Sequence, residues 1–162
     1  MAAVDFFLKL KGVDGESQDA KHKGEIDIES WSWGETQGGA HSAGGGGGAG
    51  KVIMQDFHFV MKINKASPKL FLACASGEHI ADGLLTCRKA GKEQQEFLTI
   101  KFTDLLVSSY QTGGAGQSSV VPTDQISLNF TKIELEYMEQ KPDGSLGAAA
   151  KAGWDLKRNV KV

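Results

Sequence analysis

The run Asp124–Gln140, DQISLNFTKIELEYMEQ, constrains the fold more than any other stretch of the chain. Ile126, Leu128 and Phe130 alternate with polar residues, and then Ile133, Leu135 and Tyr137 continue on the opposite parity. Alternation marks a strand with one buried face, because successive side chains point to opposite sides. A change of parity inside one strand needs a bend or bulge that turns the buried face. A long strand that turns its inner face partway wraps around a core.

Other segments follow the same pattern. In VDFFLKLK, Val4, Phe6, Leu8 and Leu10 share one side, and Asp5, Lys9 and Lys11 lie on the other. EIDIESWSWG puts Ile26 and Ile28 on one parity and Trp31 and Trp33 on the other, which places a bulge near Glu29–Ser30 and turns Ser32 away from both tryptophans. KVIMQDFHFVMKI sets Phe57, Phe59, Met61 and Ile63 against Asp56, His58 and Lys62. LLTCRKAG and EQQEFLTIKFTDLLVSSYQTGG make two strands around a GKEQ turn, and WDLKRNVKV closes the chain as a strand. LGAAAKAG reads as a loosely packed connection. KASPKLFLACASG is the one helix: Ser67 caps its start, Pro68 sits in the first turn, Gly77 suits the left-handed end, and Leu70, Phe71 and Cys74 form its apolar stripe.

The expectation is a mainly β fold: a small closed β-barrel of two sheets with one short flanking α-helix. Closure leaves no exposed strand edges. Residues 1–162 are expected to form one domain, with 38–51 as an extended glycine-rich loop.

The chain of 162 residues has a net charge of −2, so no global basic field draws nucleic acid. No stretch reaches the ~18 apolar residues of a membrane helix, and the N-terminus lacks the basic and apolar regions of a cleavable signal peptide. Cys74 and Cys87 have no metal-type spacing and read as packed free thiols. His22, His41, His58 and His79 fall in no metal or catalytic motif, and His58 reads as a strand-face residue. The tryptophans of WSW could form a stacking platform, but without a basic surround they read as core. Arg88, Lys89 and Lys92 read as a solvated turn. No catalytic residue, cofactor or metal is expected.

The stretch HSAGGGGGAGKV matches G-x-x-x-x-G-K from Gly45 to Lys51. A phosphate loop of that kind needs a helix after it and a Ser or Thr after the lysine to hold magnesium. Val52 follows Lys51, and VIMQDFHFVM then alternates as a strand, so the nucleotide reading fails. A flexible connection remains. Fixing seven such residues costs on the order of 7–14 kcal/mol of backbone entropy, which a docking partner must supply.

EIDIESWSWG, the glycine run before Lys51–Val52, SPKLFLACASGEHI, LTCRKAGKEQQEFLTIKFTDLLVSS and GWDLKRNV stand in this order along nearly the whole chain. Together they resemble the Hcp family, the haemolysin-coregulated proteins of bacterial type VI secretion. The resemblance implies a non-enzymatic protein made in the bacterial cytoplasm and exported without a cleavable signal peptide. It also implies head-to-tail hexameric rings that stack into a tube, driven outward by a contractile sheath with a spike protein at the tip. It further implies secreted effectors carried in the ring, and implies neither nucleic acid nor membrane insertion. On this reading Gly44, Gly45, Gly46, Gly47, Gly48, Gly50 and Lys51 belong to an inter-ring loop, and Ser32 faces the lumen, where it contacts effectors. The alternative is a monomeric ligand-binding β-barrel with a defined apolar pocket.

Overall fold

The structure is a computed structural model that describes residues 4–38, 50–90 and 94–162. Its strands are β1 (Val4–Leu10), β2 (Ile26–Ile28), β3 (Ser30–Ser32), β4 (Glu35–Gln37), β5 (Val52–Met54), β6 (Phe57–Lys62), β7 (His79–Lys89), β8 (Gln95–Gly113), β9 (Thr123–Gln140), β10 (Leu146–Asp155) and β11 (Val160–Lys161), and its helix is α1 (Ser67–Ser76). Nine strands form one antiparallel sheet, and β4 and β5 form a separate two-stranded ribbon.

β9 organises the large sheet. It pairs with β8 along its length, with β6 through its first half and with β10 through its second. The exchange of partners coincides with the expected parity change. Asp104 of β8 and Thr131 of β9 lie between the pairs Thr103–Lys132 and Leu105–Phe130, and Asp104 adopts φ 53°. On one side of this point Ile126, Leu128, Phe130, Leu105 and Val107 are buried; beyond it Ile133, Phe102 and Ile100 are. Both strands therefore turn their inner faces together.

The expected bulge beside the tryptophans is Glu29. β2 pairs with β1, and β3 pairs with β6. The Glu29 amide donates to the Val60 carbonyl at 2.8 Å. Between the two ladders the sheet is joined by this short link, not by a continuous strand pair, so the class is mainly β without a strictly closed barrel. Inside lies one apolar cluster centred on Phe57, Phe59, Phe102, Leu85, Ile126 and Leu128.

Three local expectations differ from the structure. LGAAAKAG is no loose connection: it is most of β10, held by β9. Ser67 is the first helical residue and not the cap. Its hydroxyl accepts from the Asn64 amide at 3.0 Å and donates to the fully buried Asp124 at 2.6 Å. The apolar stripe of α1 also runs differently, because Leu70 and Ala73 are buried while Phe71 points out, 58% exposed. Gly77 ends the helix as expected, at φ +70°.

Candidate functional site

Four strands lie side by side in the order β3–β6–β9–β8, and their outward residues line up in rows. One row is Ser32, His58, Ser127 and Ser109; the next is Ser30, Val60, Gln125 and Gln111. Residues directly opposite on paired strands share a face. The inward neighbours, Phe57, Phe59, Ile126 and Leu128, are fully buried, and this fixes the rows as the outer side. Apart from the His58 ring, neither row carries an ionisable side chain. His58 Nδ1 lies 3.2 Å from Ser127 Oγ. The nearest acid beyond the rows is Asp56, which accepts from Ser108 Oγ at 2.5 Å and from Asn129 Nδ2 at 3.0 Å. These two central rows can hydrogen-bond and carry little charge, and they are flanked on the same face by Asp56 on one side and by exposed Lys62, opposite Thr123, on the other.

Outward residues of the first half of β8, the second half of β9 and β10 look different. Lys101 lies opposite Glu134, Lys132 opposite Asp155, and Glu136 opposite Lys151 at 3.5 Å. The two outer surfaces are thus an uncharged hydroxyl and amide face and a charge-paired one.

At the β3 edge of the uncharged face, the chain passes Trp33 and enters the β4–β5 ribbon. Val52 begins β5, so a strand follows Lys51. A groove of about 760 Å³ opens between the ribbon and the β9–β10 pair. Trp33, Val52, Met54, Ile133, Leu135 and Trp154 give it an apolar lining. The indole N–H groups of Trp33 and Trp154 are buried and have no partner among the described residues. At the opposite, β8 edge stands α1. Phe71 packs edge-to-face on Tyr110 of β8 with centroids 6.0 Å apart. Leu72, next to it, is 59% exposed.

The expected site residues do not converge on one site. Ser32 is exposed on the uncharged face, next in its row to His58. Gly50 lines the groove, and Lys51 is exposed at the start of β5. Gly44, Gly45, Gly46, Gly47 and Gly48 lie outside the described residues. Trp31 and Trp33 pack against the core: Trp31 stacks with Phe57 and Trp33 tilts on Phe130.

One polar cluster escaped the sequence reading. Arg88 is 2% exposed and donates to both Asp19 oxygens, at 2.9 and 2.7 Å, and to Asp5 at 3.2 Å. Its guanidinium lies over the Phe7 ring, and His22 stacks on Phe7 at 4.4 Å. The His22 ring nitrogens face Glu25 at 2.8 Å and Glu96 at 2.6 Å. The segment 11–25 is thereby strapped over the outer side of β1 and β7. The Arg88 hydrogen bond holds the Asp19 carboxyl far below its ordinary range. Burial, with Asp5, Asp19 and Glu25 nearby, pushes Asp27 up. No local sequence signal marks it, since its partners Asp19 and Asp5 lie 69 and 83 residues away in the chain.

Burial pushes the Cys87 thiol to about 11, so it stays protonated at neutral pH.

The chain matches the family model for the type VI secretion system effector Hcp over residues 7–137. It is 47% identical to protein hcp1 of Pseudomonas aeruginosa, over 99% of each chain. Its fold is similar to the crystal structure of Hcp1 from Salmonella typhimurium, with a TM-score of 0.82, 35% identity, and 99% and 100% of the two chains covered. A structure of a type six secretion system protein gives a TM-score of 0.93 at 32% identity, with the same coverage.

Proposed function

The chain belongs to the Hcp family of type VI secretion, and from that premise we propose that it is the tube protein of such a system. Copies join head to tail into hexameric rings, and the rings stack into an inner tube. A contractile sheath drives the tube outward with a spike protein at its tip. The protein is made in the bacterial cytoplasm and leaves the cell without a cleavable signal peptide. It performs no catalysis.

The observation that carries this reading is the uncharged face of β3, β6, β9 and β8. A channel wall must let cargo move. Desolvated charge pairs would hold a passing protein at fixed points, whereas hydroxyls and amides exchange partners with water at small net cost. We place this face toward the ring lumen, with Ser32 as an effector contact. Residues 38–51, including Gly44, Gly45, Gly46, Gly47, Gly48, Gly50 and Lys51, form the contact between rings, which fits their place in the sequence between β4 and β5.

The apolar groove beside Trp33 favours a second reading, a monomeric ligand-binding barrel. Electron microscopy of the purified protein separates the two. Six-fold rings with an open centre are expected for the tube protein. A monomer at all concentrations, by size exclusion and by microscopy, would overturn it in favour of the ligand-binding module.

A further inference from the structure

The two central rows of the four-stranded face hold one ionisable group. His58 stands directly opposite Ser32 of β3 on one side and Ser127 of β9 on the other, with its ring half-buried. Histidine is the side chain whose charge changes between about pH 5 and about pH 8. Among hydroxyls and amides that change is felt strongly, because no ion pair absorbs it.

The charged groups around His58 are few and already engaged. Neither β3 nor β9 brings one alongside it: its neighbours there are Ser30, Ser32, Gln125 and Ser127. Asp56 lies two residues before it, and the two Asp56 oxygens accept from Ser108 and Asn129. Lys62 lies further along β6, in a cleft that it shares with Glu16, Asp27 and Glu29.

Protonation rewrites the hydrogen bonds of the row. Neutral imidazole has one N–H and one lone pair, and Nδ1 lies 3.2 Å from Ser127 Oγ. In the imidazolium both nitrogens donate. Nδ1 then gives its hydrogen to Ser127 Oγ, which leaves the serine's own hydrogen free to point elsewhere. Nε2, without a partner among the described residues, presents a charged N–H. The row gains a positive charge and, with the hydroxyls of Ser32 and Ser127, a set of adjacent donors. Such a set fits a carboxylate, whose oxygens only accept.

We propose that His58 makes cargo retention pH-dependent: protonated, it joins Ser32 and Ser127 in holding the carboxylates of acidic cargo, and neutral, it lets them go. This rests on the lumen placement given above and names the regulation of that same face. Every copy brings one such row to the channel, so contacts that are weak singly act together on one cargo chain.

The test is fluorescence anisotropy of a fluorescein-labelled hexa-aspartate peptide, with hexaserine as control, at about pH 5.5 and about pH 8. Electron microscopy of the same samples records whether rings are present. The unaltered protein is expected to bind hexa-aspartate at least roughly ten-fold more tightly at the lower pH, the scale of one hydrogen bond to a charged group. In His58→Gln the pH step should vanish, which separates His58 from the other histidines of the chain. His58→Lys, charged at both values, should hold the peptide equally at both. Should a His58 variant fail to assemble, Ser127→Ala takes its place and is expected to shrink the step by removing the Nδ1 acceptor. No step in the unaltered protein, or an undiminished step in the variants, would overturn the proposal, and rings in the micrographs would leave the ring reading standing. A chain that forms no rings at either pH would overturn the ring reading, and the lumen placement with it.

Discussion

Arg88 sits in the sequence TCRKAGK, which reads as solvated, yet it is 2% exposed. What hides it is the segment 11–25, whose Asp19 and His22 close over Phe7 from the far side. Replacing Arg88 with Met leaves two carboxylates facing each other with partial access to water. The expected loss is about 2 kcal/mol, below the ~3–5 kcal/mol of a fully buried pair, read as a shift in urea midpoint. The pH dependence has a definite sign. Asp19 is depressed, so its contribution is complete above the unfolded value of ~3.9 and is lost as pH falls below it. Asp27 is raised and acts oppositely, its contribution fading as pH rises through its folded value. Unfolding midpoints between pH ~2 and ~5 should therefore fall steeply with acid in the unaltered protein and less steeply in Asp19→Asn. Equal slopes would show that the strap carries no linked proton. Ser32 was legible because alternation around two tryptophans fixes its direction. Arg88 was not, because its burial depends on residues far away in the chain. On the proposed reading, Ser32→Gln leaves rings intact and weakens effector retention, measured by the effectors secreted with the tube protein.

Among the elements, strands were read well wherever large side chains alternate. They were missed where alternation has nothing to act on. LGAAAKAG carries no apolar period, and only its ladder to β9 makes it a strand. The helix was found, but its buried stripe was misjudged by one position. Helical spacing admits both Leu70–Cys74 and Leu70–Ala73 as inner faces, and the core selected the smaller Ala73. Close packing also explains a glycine inside a strand. A Cβ on Gly83 of β7 would stand 2.8 Å from both Leu10 Cδ2 and Leu105 Cδ1. Gly83→Ala should destabilise by about 1–3 kcal/mol through overpacking, measured by thermal or denaturant unfolding. An unchanged midpoint would mean that the two leucines re-seat freely.

For the molecule as a whole, the mainly β class followed from pattern alone, and the family followed from five segments in order. The outer faces did not, because a row such as Ser32, His58 and Ser127 is made by residues brought together from distant elements. On the proposed reading, deleting Gly44–Gly48 shortens the inter-ring arm without touching β4 or β5. Single rings should persist while stacked tubes shorten or vanish in electron micrographs; tubes of ordinary length would refute the arm's role.

β9 bears also on how the protein comes into being. Its partners β6, β8 and β10 lie both before and after it, and the β6 ladder spans Phe57 to Leu128. β1 likewise waits for β7, with Val4 opposite Lys89. The ladders of β9, which join β6, β8 and β10 into one sheet, cannot form until the last third of the chain has left the ribosome. Non-local pairing of this kind makes folding slow and leaves apolar strands uncovered meanwhile. Newly made chains should therefore be more vulnerable to aggregation and proteolysis than finished ones, and synthesis outpacing maturation would be a natural limit on how many copies a cell can stockpile.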